Sequence, residues 1–217
     1  SLAIHRGGGI PEGSGTLLDG SLPVYQPCME VAMLELFTTK TLACILILSG
    51  LAAGLLLLGP AKAMAQDFEL TSPSFEHNKR IPSQHSRKGG NLSPALNWTG
   101  LPEGTQSLAL VCDDPDAPGS RWVHWVIYNI PADLTGLEQG LPDDEVIEGV
   151  GTQGKNSWKD IGYDGPQPPS GTHRYYFKLY ALDAMLNLEP GLTKRELKDA
   201  IDDHVLEETK LMGKYSN

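Results

Sequence analysis

Apolar and polar positions fall into two regimes along this chain. From Thr41 to Gly59 the sequence is one uncharged apolar run. Beyond Gln66, short apolar stretches alternate with polar residues and are separated by Gly and Pro, the pattern of strands joined by turns. Phe68-Glu69-Leu70-Thr71 predicts a short edge strand, and Ala95 to Thr99 another. Ser107 to Cys112 is almost wholly apolar, as expected of a strand buried on both faces. Trp122 to Ile130 is rich in β-branched and aromatic residues and predicts a strand. Strict alternation there puts His124 on the face of Val126 and Tyr128, with Val123, Trp125 and Ile127 on the other. Val146 to Val150 predicts a short strand, and Gly151 to Ser170, full of Gly and Pro without a period, a long functional loop. Tyr175 to Leu182 predicts a strand with Tyr175, Phe177, Leu179 and Ala181 on one face. Thr193 and Glu196 carry the capping-box signature. Leu197, Ala200, Ile201, His204, Val205 and Glu208 follow at helical spacing, so a helix is expected to run on and stop at Gly213. Strands divided by turns with one late helix predict a mainly β domain, most simply a sandwich.

The apolar run changes the expected address. Lys40 precedes it and the small-x-small pattern Ala63-Met64-Ala65 follows, so residues 41–65 read as a secretory signal peptide cleaved before Gln66. The mature protein is then periplasmic or secreted. The run is also close to the roughly 20 residues that span a bilayer, so a membrane anchor over residues 41–59 is the alternative. Residues 1–40 read as a disordered or spurious extension: Ser1 to Cys28 is Gly-rich and aperiodic, and Met29 and Met33 are both candidate starts. Residues 66–217 form one domain. The formal charge of −10 over 217 residues excludes nucleic acid as a partner. Of the cysteines, Cys28 and Cys44 lie in the segment expected to be lost. Cys112 closes an apolar run and reads as a buried core thiol, leaving no internal disulfide.

Candidate chemistry gathers at two stiff Pro-rich turns, each leading to a histidine. One is Asp113-Asp114-Pro115-Asp116-Ala117-Pro118 before His124; the other runs from Gly165-Pro166 to His173-Arg174-Tyr175. Asp113 is assigned to turn bonding. Asp114 and Asp116 divide between bracing the turn and facing a pocket. A histidine beside a carboxylate gains positive charge near neutral pH and suits an anion. Arg174 alternates with His173, so it points away from the pocket face and reads as an ion-pair partner. His77, His85 and His204 are assigned to the surface, a loop and a helix, and the tryptophans to core or pocket wall. No metal-ligand spacing, nucleophile elbow, phosphate loop or dinucleotide fingerprint occurs, so neither catalysis nor a cofactor is expected.

These residues resemble the phosphatidylethanolamine-binding protein family, in its bacterial and archaeal Raf kinase inhibitor-like branch. The resemblance rests on Asp114-Pro115-Asp116-Ala117-Pro118 with His124-Trp125 and Asn129-Ile130-Pro131. It rests also on Gly165-Pro166 through His173-Arg174-Tyr175, with Ser93-Pro94-Ala95-Leu96-Asn97-Trp98 and Gly213-Lys214-Tyr215 as weaker blocks. One departure is Ser86-Arg87-Lys88-Gly89-Gly90, basic where the branch often has Cys-Asp-Gly. The resemblance implies an antiparallel β-sandwich of Greek-key-like topology with a C-terminal helix beside the pocket. It implies that Asp114, Asp116, His124, Gly165, Pro166, His173 and Tyr175 bind a small anionic ligand such as a phospholipid head group, without chemistry. The alternative it implies is an inhibitor that docks its pocket rim on a protease or another protein. A second copy of the chain, giving a homodimer, is a further expected partner.

Overall fold

The computed structural model describes residues 66–217; the expected signal peptide and N-terminal extension lie outside them. Among the described residues, nine strands form two antiparallel sheets. The small sheet orders β1 (Glu69–Thr71), β2 (Leu96–Thr99) and β5 (Gly136–Leu137). The large sheet runs β6 (Val146–Ile147), β7 (Gly151–Gln153), β4 (Trp122–Pro131), β3 (Ser107–Asp114), β8 (Thr172–Leu182) and β9 (Val205–Ser216). The chain leaves the large sheet after β4, visits the small one at β5 and returns at β6.

The sheets face each other across a core built on the period-two faces. Leu70, Leu96, Trp98 and Leu137 of the small sheet meet Leu110, Ile127, Phe177 and Leu179 of the large one. The other face of the large sheet buries Ala109, Val111, Val126 and Tyr180 under the helix α1 (Lys194–Ile201), through Leu197 and Ile201. Covered on both sides, β3 buries all eight of its residues, as its unbroken apolar run requires. Cys112 is among them, and burial raises its thiol well above the ordinary value.

The C-terminal segment from Thr193 corrects the sequence reading. The capping box is present: Thr193 Oγ1 accepts the Glu196 N–H, and the Glu196 carboxylate accepts the Thr193 N–H at 2.9 Å. Yet α1 ends at Ile201, and after one tight turn, Asp202–His204, the chain becomes the twelve-residue strand β9. Only Leu197 and Ile201 of the helix are buried, so its apolar stripe is one turn long. The positions of Val205 and Glu208 match a helix by coincidence, whereas Leu211, Gly213 and Tyr215 are buried with period two against β8. Pairing β9 along the whole of β8, from Leu182↔Val205 to Thr172↔Ser216, removes a long unpaired edge. Gly213 is therefore no helix stop. It leaves room for Ile81, whose Cγ1 would lie 2.5 Å from an added Cβ.

Because α1 holds the sheet through two side chains, Leu197→Ala should cost about 2–5 kcal/mol in urea unfolding. A loss below about 1 kcal/mol would mean that the helix is not a packed layer of the core.

Candidate functional site

A strand irregularity aims the first histidine. Cys112 of β3 opposes Trp125, but Asp113 opposes Val123, so His124 is an extra residue on β4. Such a bulge turns two successive side chains to one side. Val123 and Val126 both pack on the helix side, while Trp125 enters the inter-sheet core and His124 stacks edge-on against Tyr175 at 5.1 Å. The face assigned to His124 by alternation is thus corrected. It lies with Trp125 and Tyr175, not with Val126 and Tyr128.

His124 joins Asp114, Trp122, Trp158, His173 and Tyr175 around a cavity of about 190 Å³, rimmed by Ala117, Pro118 and Gln167-Pro168-Pro169. Asp114 both braces and faces it. One carboxylate oxygen accepts the Asp116 N–H at 2.8 Å, and the other accepts His173 Nδ1–H at 2.7 Å. Asp116 is excluded from the lining. Its carboxylate takes the Arg174 N–H and a two-pronged guanidinium contact at 2.9 and 2.6 Å, which pulls it down to about 2. Arg174 is on the outer face, as alternation predicts.

Gly165 and Pro166 do not line the cavity either; they are buried behind it. A Cβ on Gly165 would sit 2.1 Å from the His85 carbonyl oxygen, so this position tolerates only glycine. The Gly165 N–H donates to Asn91 Oδ1 at 2.8 Å, and the Pro166 carbonyl accepts the Arg87 N–H at 3.2 Å. These contacts belong to a polar framework centred on the buried Asp164. Its carboxylate accepts from Asn91 at 3.2 Å and Asn156 at 2.9 Å and pairs with Arg87 at 3.2 Å. The Arg87 guanidinium also covers the Trp158 ring at 4.3 Å. Arg87, part of the basic departure, therefore braces one aromatic wall of the cavity.

His124 Nδ1–H donates to the Asp164 carbonyl at 2.6 Å, leaving Nε2 for a ligand. Burial holds this imidazole below its ordinary value and outweighs the carbonyl contact and the charges of Asp114 and Asp164, which act the other way. The expectation that a nearby carboxylate raises this histidine is corrected by desolvation. Tyr175 is kept protonated, first by burial and then by Asp114. Its hydroxyl, within reach of the Asp114 carboxylate, and the Trp122 indole N–H are buried without a well-formed hydrogen bond. Two donors thus wait beside two imidazoles.

Sequence reasoning missed Asp164, Asn91 and Asn156 and saw Arg87 only as part of the basic departure, because their roles exist only through contacts far apart in sequence; the aperiodic Gly/Pro loop was the one signal for Asn156 and Asp164. Trp122 and Trp158 are pocket wall, and Trp98 and Trp125 core. His77 is exposed and His204 sits in the turn after α1, bonded to Asp183 at 2.8 Å. His85 is fully buried in a short turn of helix, donating Nδ1–H to the Leu92 carbonyl at 2.8 Å. Asp113 is not a turn residue. It is a buried strand residue whose carboxylate contacts Arg121, Lys178 and Lys194.

His124 should titrate below about 6.5 and stay neutral with its proton on Nδ1 in the ligand-free protein, as read by imidazole ¹⁵N shifts. The folded value lies below the unfolded one, so the unfolded chain binds more protons. His124 then contributes a loss of stability as pH falls through about 6.5, and none above it. A His124 that is cationic at neutral pH would overturn this account.

Comparison with known proteins agrees with this geometry. Residues 71–216 match the phosphatidylethanolamine-binding protein family. A UPF0098 protein of Methanothermobacter thermautotrophicus is 51% identical over 146 residues, covering 67% of this chain and 97% of that protein. Among solved structures, a putative phosphatidylethanolamine-binding protein homolog from Chlamydia trachomatis is 37% identical with TM-score 0.64, covering 69% of this chain and 97% of its own. E. coli YbcL, described as a new member of the mammalian family, is 31% identical with TM-score 0.65, covering 70% and 99%. The bulged histidine, the Asp114–His173 pair and these matches together place the chain in the phosphatidylethanolamine-binding protein family.

Proposed function

We propose that this domain is an exported binding protein that takes a phosphate monoester head group into the His124–His173 cavity without reacting with it. The observation that carries the reading is the hydroxyl of Tyr175, a residue 1% exposed, which makes no well-formed hydrogen bond and stands beside two imidazoles. A buried donor left unpaired costs about 1–3 kcal/mol, and a ligand oxygen would remove that cost. Trp122 Nε1–H offers a second such donor. The lining residues supply no Ser, Thr or Cys nucleophile, which supports binding over catalysis.

The tautomers set a condition on the ligand. Both histidines direct Nδ1 at an oxygen, His124 at the Asp164 carbonyl and His173 at the Asp114 carboxylate. While neutral, each presents Nε2 as an acceptor, which repels a phosphate oxygen. Binding an anion therefore requires a proton, taken up by an imidazole or brought by the phosphate itself. Asp114 can in turn receive the ammonium of an ethanolamine group. A cavity of this size admits a group no larger than about phosphoethanolamine.

Titration calorimetry with phosphoethanolamine, in buffers of different ionisation enthalpy, should show net proton uptake and affinity that falls as pH rises from about 5.5 to 8. His124→Gln should lose most of this pH dependence, and His173→Gln should bind more weakly. Tyr175→Phe should unfold at the same or a higher temperature and bind about five- to tenfold more weakly, the worth of one hydrogen bond. Equal affinity in all four proteins would sink the reading.

Export is the second part of the proposal, supported by the Ala63-Met64-Ala65 pattern after the apolar run. Protein recovered from the exported fraction should begin at Gln66 by N-terminal mass analysis. A membrane-bound form retaining residues 41–59 would replace export by anchoring.

A further inference from the structure

The face of the large sheet turned away from the cavity carries a concentration of cations. Beside the area covered by α1, a groove of about 400 Å³ is lined by Arg121, Arg174, Lys178 and Lys210, with Tyr176 and Glu208. The chain as a whole carries −10, so this patch runs against the overall charge. Two of these cations converge on the fully buried carboxylate of Asp113. Arg121 contacts it at 2.7 Å, Lys178 at 3.3 Å, and Lys194 from the start of α1 also reaches it. One carboxylate thus holds three cations in place and leaves their positive charge in excess.

Two features point to an occupant. Lys178 and Lys210 lie directly opposite each other on β8 and β9. Like charges at such a position repel, and no carboxylate pairs with Lys210 among the described residues. Arg121 is bound to Asp113 through one nitrogen, so the rest of its donor fork is open to the groove. Arg174 is different, since Asp116 occupies two of its nitrogens, and it supplies field more than contacts.

We infer that this groove is a second anion site, distinct from the cavity. It would bind a dianionic phosphate group between Lys178, Lys210 and Arg121, with Glu208 at the rim disfavouring bulky polyanions. The planar fork and two ammonium groups match the oxygens of a tetrahedral dianion, and the bound charge relieves the Lys178–Lys210 repulsion. The two sites lie back to back, because Asp113 and Asp114, like Arg174 and its neighbours His173 and Tyr175, point to opposite faces of the same strands. The group can come from a soluble phosphate ester or from a lipid head group.

The test follows backbone amide shifts of the protein during titration with sulfate, whose charge is constant across pH, and with glycerol 3-phosphate. Saturable shifts are expected at Tyr176, Lys178 and Lys210. Lys210→Glu, an exposed change, should weaken them at least tenfold, Arg121→Gln should weaken them several-fold, and the response of His173 and Tyr175 to phosphoethanolamine should persist. Co-sedimentation with phosphatidic acid vesicles that is lost in Lys210→Glu would assign the group to a lipid. Saturation by glycerol 3-phosphate in solution would assign it to a soluble ester. If sulfate, glycerol 3-phosphate and vesicles all fail to engage the groove in a Lys210-dependent way, the site does not exist, whatever the cavity binds.

Discussion

Burying β3 on both faces forces its last two residues, both aspartates, to find partners in the interior. A carboxylate removed from water is expensive unless it is paired and hydrogen-bonded. Asp113 and Asp114 are 0% and 3% exposed and point to opposite sides of the sheet. Asp113 draws Arg121 from the turn before β4, Lys178 from β8 and Lys194 from α1. Burial alone would raise this carboxyl, but those contacts outweigh it and hold it low. Asp114 draws His173 from β8 and the amide of Asp116. The same two residues therefore tie the helix to one face of the sheet and the pocket to the other. The helix takes no part in the cavity lining, unlike the placement that the family resemblance implied.

Much of the sandwich was legible because alternation and burial agree. The unbroken run Ser107 to Cys112 is central, and Tyr175, Phe177, Leu179 and Ala181 share one buried face. What failed was decided by distant residues. Nothing local stops α1 at Ile201; the demand comes from β8, which needs a partner along its length. Nothing local announces the bulge at His124 either. It is defined only by where Cys112 and Asp113 fall opposite β4, and a period-two reading must then put the histidine on the wrong face.

The candidate site divides in the same way. Asp114, His124, His173 and Tyr175 meet at the cavity as the motifs suggested. Asp116, Gly165 and Pro166 come from the same motifs but hold it from outside, one by an ion pair and two by close backbone packing. A motif marks residues that a site needs, and does not separate those that touch a ligand from those that shape the walls. Asp164 is the clearest case of a shaping residue, since its carbonyl fixes the His124 tautomer and its carboxylate gathers three side chains.

The idle hydroxyl of Tyr175 has a bearing on how long the protein survives. A fold that keeps an unsatisfied donor in its interior is less stable empty than full. Any ligand that bonds this hydroxyl stabilises the native state by mass action, in proportion to the logarithm of its concentration over its dissociation constant. The fraction of molecules open to proteolysis shrinks by the same factor. Supply of such a ligand would then set the lifetime of the protein as well as its occupancy.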